Sequence, residues 1–148
     1  MVTEKITVHG ENDSVLNICD LLSKCTVNAD VCDMSLDVYL PLWDREIPLA
    51  QKDSMLVVPL EMKEKVPDGV SFVTYSDSDS AADVSSLNVQ RRESSVCFEL
   101  LCGDFMNRVF IPHKEKYTQS QVLVCASILY ALGVPLKQAV SLINESLK

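Results

Sequence analysis

Residues 118–147 read TQSQVLVCASILYALGVPLKQAVSLINESL, and two helices are written in them. Thr118 and Gln121 form T-x-x-Q, a capping box in which the hydroxyl caps an N–H of the first turn and the amide reaches back. Val122 to Leu132 is apolar nearly all round, so the helix it forms is buried on most sides. Gly133 supplies the left-handed position at its end. Pro135 suits the first turn of a second helix, where a missing N–H costs nothing. In that helix Leu136, Val140, Ile143 and Leu147 make one apolar stripe.

Upstream, the period changes from helical to alternating. Ser95 to Leu101 puts Val96, Phe98 and Leu100 on one side, Gly103-Asp104 offers a tight turn, and Phe105 to Ile111 returns with Phe105, Val109 and Ile111 on one face. Asp83 to Gln90 is a weaker strand and Val70 to Tyr75 a further one, separated by the polar loop SDSDSAA at 76–82. These strands read as a small antiparallel meander. Met55 to Leu60 is a short buried strand stopping near Pro59, followed by a turn or two of helix over Glu61 to Val66 and a Pro67-Asp68-Gly69 turn. Residues 14–25 carry Val15, Ile18, Cys19 and Leu22 on one helical stripe, with Asp13 as the expected N-cap. Met34, Leu36, Val38 and Leu40 alternate as a strand that Pro41 ends. The expected fold is α+β: a small antiparallel meander packed on a C-terminal helical pair, with an N-terminal helix–strand portion. The expected division is 1–56 and 57–148.

Composition narrows the function. The chain has 148 residues, a net charge of -8 and 47% hydrophobic residues, enough apolar material for a packed core. Residues 1–90 carry a net -10 and residues 91–148 a net +2. The acidic balance argues against sequence-independent nucleic-acid binding, which needs Lys and Arg to neutralise phosphates. The longest mostly apolar stretch, 122–132, is well short of the roughly 20 residues that span a bilayer. Glu4 and Lys5 with no apolar run after them do not make a signal peptide. A soluble, cytoplasmic protein with reduced, mostly buried thiols at Cys19, Cys25, Cys32, Cys97, Cys102 and Cys125 is expected. Gly10, Gly69, Gly103 and Gly133 lie at least 30 residues apart, so neither G-x-x-x-x-G-K-[ST] nor G-x-G-x-x-G can be written.

The order of elements over 57–148 resembles the later part of the central, ATP-binding domain of Mur ligases, the enzymes that add amino acids to the peptidoglycan precursor. Val66 to Tyr75 follows the family's strand ending in T-[YF]-G. Ala82-Asp83-Val84-Ser85-Ser86-Leu87-Asn88-Val89 follows A-D-V-x-A-x-N-I. Phe98-Glu99-Leu100 follows F-x-L, and Ala131-Leu132-Gly133-Val134-Pro135-Leu136 matches the close of the buried helix. The departures bear on function. Where the family has G-x-H-N-x-x-N this chain has Glu115, Tyr117, Thr118 and Gln121, and N-A-D-D is replaced by Val58-Pro59-Leu60-Glu61. The phosphate loop has no counterpart, and 1–56 offers no magnesium-binding residues. The sequence ends at Lys148, before any domain that would bring the amino acid. The resemblance thus implies a non-catalytic or incomplete central-domain fragment acting through a protein partner, such as the rest of a split ligase. ATP and magnesium enter only if another chain completes the site. An unrelated intracellular adaptor with an acidic binding surface is the alternative.

Other constellations weigh less. Thr118 and Gln121 are read as a vestigial nucleotide edge under the resemblance, although the capping box explains them without a ligand. His9, Cys19, Cys25 and Cys32 lack the tight C-x2-C pair of structural zinc sites. Cys97 or Cys102 with His113 lacks a third group to orient the base. The two C-terminal helices offer only Lys137 and Lys148 for a helix-turn-helix contact to DNA. Asp77, Asp79 and Asp83 lack the glycine turn and terminal Glu of a calcium loop. Ser76, Ser80 and Ser94 fit short kinase patterns, Ser94 after Arg91-Arg92 and the others with Asp three residues on.

Overall fold

The computed structural model describes residues 6–26, 35–41 and 54–148. Its order is β1 (Ile6–His9), α1 (Asn12–Thr26), β2 (Ser35–Tyr39), β3 (Ser54–Pro59), a 3-10 helix (Leu60–Lys65), β4 (Phe72–Ser76), β5 (Val84–Arg91), β6 (Ser95–Cys102), β7 (Phe105–Pro112), α2 (Gln119–Ala131) and α3 (Leu136–Ser146). Among the described residues the strands form a seven-stranded sheet in sequence order. Strands β1 to β5 run parallel, and β5, β6 and β7 pair antiparallel. The fold is α+β with a C-terminal helix pair, as expected.

The expected meander is therefore the antiparallel part of a larger mixed sheet. Strands β5 to β7 match the expectation, but β4, expected to open the meander, pairs parallel on both sides. The reason lies in the β4–β5 connection. Tyr75 pairs with Val84 and Ser76 with Ser85, so β5 begins where β4 ends and keeps its direction. The intervening chain is pinned by Asp83, whose carboxylate accepts from the Thr74 N–H at 2.9 Å and hydroxyl at 3.2 Å. The Asp83 N–H donates back to the Thr74 hydroxyl at 3.0 Å.

The core lies between the sheet and helices α1, α2 and α3. Helix α2 is buried almost completely because α1, α3 and strands β3, β4 and β5 surround it. It ends in a full Schellman turn: Val134 N–H donates to Leu129 at 3.0 Å and Gly133 N–H to Tyr130 at 3.1 Å, with Gly133 at φ +93°. Strands β1 and β2 and helix α1 contribute to this core through Ile18, Leu21, Leu22, Leu36 and Val38. The opposite face of the sheet is covered at Tyr39, Leu56 and Val58 by Met62 of the 3-10 helix. Coverage on both faces accounts for the unbroken buried run Leu56-Val57-Val58 in β3. At the end of β1, a Cβ on Gly10 would lie 2.7 Å from Leu40 Cβ, so that close approach admits only glycine.

At Leu87–Gln90 the β5–β6 register shifts. There Asn88 takes φ 58° and its amide donates to Glu99 at 2.7 Å, a left-handed position that asparagine tolerates.

Candidate functional site

In open sheets of parallel strands, ligands bind outside the carboxyl ends of the strands. Here that edge carries two adjoining cavities, of about 220 Å³ and 330 Å³. Both touch Pro41, just past β2, and Ser120, in the first turn of α2. The first lies against Glu11, Ser14, Thr118 and Gln121. The second lies against Pro59, Glu61, Tyr75 and Asp77. Among the described residues no Lys or Arg lines either one, while Glu11, Glu61 and Asp77 put three carboxylates there.

The β1–turn–α1 unit decides the chemistry of this edge. A helix N-terminus leaves backbone N–H groups without partners and attracts anions. The cap expected at Asp13 is supplied instead by Glu11. One Glu11 carboxylate oxygen accepts from the Asp13 N–H at 3.0 Å. The other accepts from the Ser14 N–H at 3.2 Å and the Ser14 hydroxyl at 3.0 Å. These bonds, the Asp13 N–H first, hold the Glu11 carboxyl below its usual range. The helix thus carries an anion of its own.

The N-terminus of α2 is closed as well. Thr118 Oγ1 accepts from the Gln121 N–H at 3.2 Å, and Gln121 Oε1 accepts from the Thr118 N–H at 3.1 Å. Gln121 also ties the two helices. Its Oε1 accepts from Asn17 at 3.2 Å and its Nε2 donates to Ser14 Oγ at 3.4 Å. Thr118 and Gln121 therefore sit on the first cavity with their polar atoms engaged.

The other singled-out residues are spread over the molecule. His9 bonds Asp37 at 3.1 Å and stacks on Tyr39. Cys25 is buried on α1 beside Ser146, and Cys32 lies outside the described residues. Among the described residues no group of three or more metal-ligating side chains gathers. Cys97 is buried with its thiol directed at Gln90, and the His113 ring bonds the Arg92 carbonyl at 2.7 Å. Ser76 accepts from the Ser78 and Asp79 N–H groups, while Ser80 and Ser94 are exposed. Asp79 accepts from the Ala81 N–H at 2.9 Å, and Asp83 belongs to the Thr74 lock.

A polar cluster that the sequence did not reveal joins α1 to the approach of α2. The Tyr117 hydroxyl donates to Asp20 and accepts from Lys24 at 2.9 Å. Lys116 lies 3.2 Å and Lys24 3.5 Å from the same carboxylate. The Tyr117 bond, then Lys116 and Lys24, holds the Asp20 carboxyl below its ordinary value. A depressed folded-state pKa stabilises the fold above the ordinary carboxylate pKa, and that stability is lost as pH falls through the folded value. Asp20→Asn should therefore be less stable than wild type near neutral pH and converge with it in acid. Urea midpoints across a pH series check this.

No family model matches the chain, and no curated protein does either. Solved structures do. One is the UDP-N-acetylmuramoylalanyl-D-glutamyl-2,6-diaminopimelate–D-alanyl-D-alanyl ligase from Acinetobacter baumannii, at TM-score 0.55 and 14% identity over 76% of this chain. Another is a UDP-N-acetylmuramoyl-L-alanyl-D-glutamate–2,6-diaminopimelate ligase, at TM-score 0.57 and 14% identity over 77% of this chain. The fold is Mur-ligase-like. The chain spans under a third of each ligase, 29% and 28%. The shared region is larger than the 57–148 resemblance. No described helix is long and apolar enough to cross a membrane.

Proposed function

We propose that this chain is a Mur-ligase-like central-domain module without nucleotide chemistry of its own, and that it works by binding a protein partner. The observation that carries the reading is the Glu11 carboxylate on the N-terminus of α1. A strand–turn–helix at the carboxyl end of a parallel sheet is where a phosphate would be cradled by backbone N–H groups. Here those groups already hold a carboxylate, and a phosphate would meet Glu61 and Asp77 nearby, with no lysine or arginine among the described lining residues to offset them. Phosphoryl transfer depends on such a cradle and a metal to neutralise developing charge. The partner this favours is a chain carrying the phosphate loop, the rest of a split ligase. An adaptor role through the acidic surface is the second reading, favoured by the net -10 over residues 1–90.

Calorimetric titration of the chain with magnesium–ATP tests the non-catalytic reading. No heat of binding is expected up to millimolar nucleotide, and micromolar affinity overturns the reading. Co-expression with a phosphate-loop-bearing reading frame encoded beside this one separates the two partner readings. Co-elution supports the split ligase, and separate elution leaves the adaptor.

A further inference from the structure

Two thiols meet where the helices pack together. Cys25 lies in the last turn of α1 and Cys125 in the middle of α2, and both are fully buried. Helix α1 packs on α2 and on α3, which brings the two side chains into contact. The Cys125 thiol donates a hydrogen bond to the Cys25 sulfur. The Ser146 hydroxyl donates to the Leu142 carbonyl at 2.8 Å, so its oxygen accepts from the Cys25 thiol at 3.6 Å. Helix α3, which carries Ser146, is held to the edge of β7 by Asn144. Its Oδ1 accepts from the Phe110 N–H at 3.2 Å and its Nδ2 donates to the Arg108 carbonyl at 3.1 Å. The thiol pair thus sits among elements that are themselves anchored.

The two sulfurs are not equivalent. The Cys125 bond, then Ser146 and the nearby Lys24 charge, lower the pKa of Cys25 against the opposing effect of burial. Donation to Cys25 and complete burial push the pKa of Cys125 well up. In thiol–disulfide exchange the thiolate attacks and a second thiol resolves the mixed disulfide, so Cys25 is suited to the first step and Cys125 to the second. The other described thiols are placed differently. Cys97 is directed at Gln90, Cys102 is bonded to Tyr130, and Cys19 is partly exposed and acts on Cys125 through charge.

We infer that Cys25 and Cys125 are a redox modification site, closing to a reversible disulfide that staples α1 to α2, with a low-molecular-weight disulfide such as oxidised glutathione as the oxidant. The Cys25 thiolate attacks one glutathione sulfur, which forms a mixed disulfide and releases one glutathione as thiol. Cys125 then loses its proton and attacks the Cys25 sulfur, and the second glutathione leaves as thiol. Two protein thiols are oxidised and one small disulfide is reduced to two thiols. Because both sulfurs are buried, attack waits on local opening at the last turn of α1, which makes the exchange slow. The bridge closes the whole chain between positions 25 and 125, and long closed loops restrict the unfolded chain most. It also fixes the two helices that carry Ser14 and Gln121 beside the first cavity. The inference is independent of the proposed function.

The test treats the folded wild-type chain with a millimolar excess of oxidised glutathione and maps the bonds by mass spectrometry without reduction. Cleavage before aspartate places Cys25 alone in fragment 20–29 and Cys125 alone in fragment 104–148, apart from Cys19 and Cys32. The expected product is a chain lighter by two hydrogen atoms with these two fragments joined. Its urea midpoint is expected to rise by about 1 M or more and to return on addition of dithiothreitol. Free thiols at both positions after treatment overturn the proposal. So does a bridge from Cys125 to Cys19, or one that forms only in denaturing urea, since the native packing would then not be its template. A joined product with an unchanged urea midpoint overturns the staple as well.

Discussion

Phe98→Ala is expected to cost about 3–5 kcal/mol of folding stability, the largest effect of any change considered. Phe98 sits in the middle of β6, paired with Val109 of β7, and is fully buried in the core that the helices close. Truncation removes the ring's transfer free energy and leaves a void, because close-packed neighbours relax only in part. Phe110 provides the control. It lies on the adjacent strand with its side chain 43% exposed on the other face, and Phe110→Ala should change stability by about 0.5 kcal/mol or less. Urea denaturation of both variants checks the pair. Equal losses would mean that the two faces of the hairpin have been assigned wrongly.

Asp83→Ala should cost about 2–3 kcal/mol. Thr74 is only 3% exposed, and Asp83 supplies the acceptor for both its N–H and its hydroxyl. Without that carboxylate two groups lose their partner, and the cost is mainly the penalty of leaving them unsatisfied. Asp83→Asn keeps one side-chain oxygen and should fall between alanine and wild type. Chemical denaturation measures the order. If alanine and asparagine are equally mild, water replaces the carboxylate and the β4–β5 lock has no energetic role.

Much of this molecule was legible locally. The T-x-x-Q capping box and the Gly133 turn are interactions within a few residues, so their residue types and spacing announce them. The strands of the β5–β7 meander and the stripe of α3 appear as alternation and helical period for the same reason. The order of motifs in 57–148 also pointed to a Mur-ligase-like fold, which the solved ligase structures match. Strand β1 escaped notice because Ile6–His9 is too short to show a period. Glu11 is not legible as the cap because the apolar stripe starts after Ser14, two residues inside the helix that begins at Asn12, and marks Asp13 as the cap instead.

What the sequence determined by itself is therefore most of the elements from α1 onward, the capping box and C-terminal turn of α2, and a glycine spacing in which neither phosphate-loop pattern can be written. Only the tertiary structure decided that β4 runs parallel to β5, that β1, α1 and β2 join the same sheet and core, that Tyr117 reaches Asp20, and that Asn144 covers the edge of β7. Strand direction follows from the path of a crossover, and these side-chain pairs join residues 34 to 97 positions apart. Local periodicity records which face of an element is buried, but it carries no record of which element comes to lie against that face.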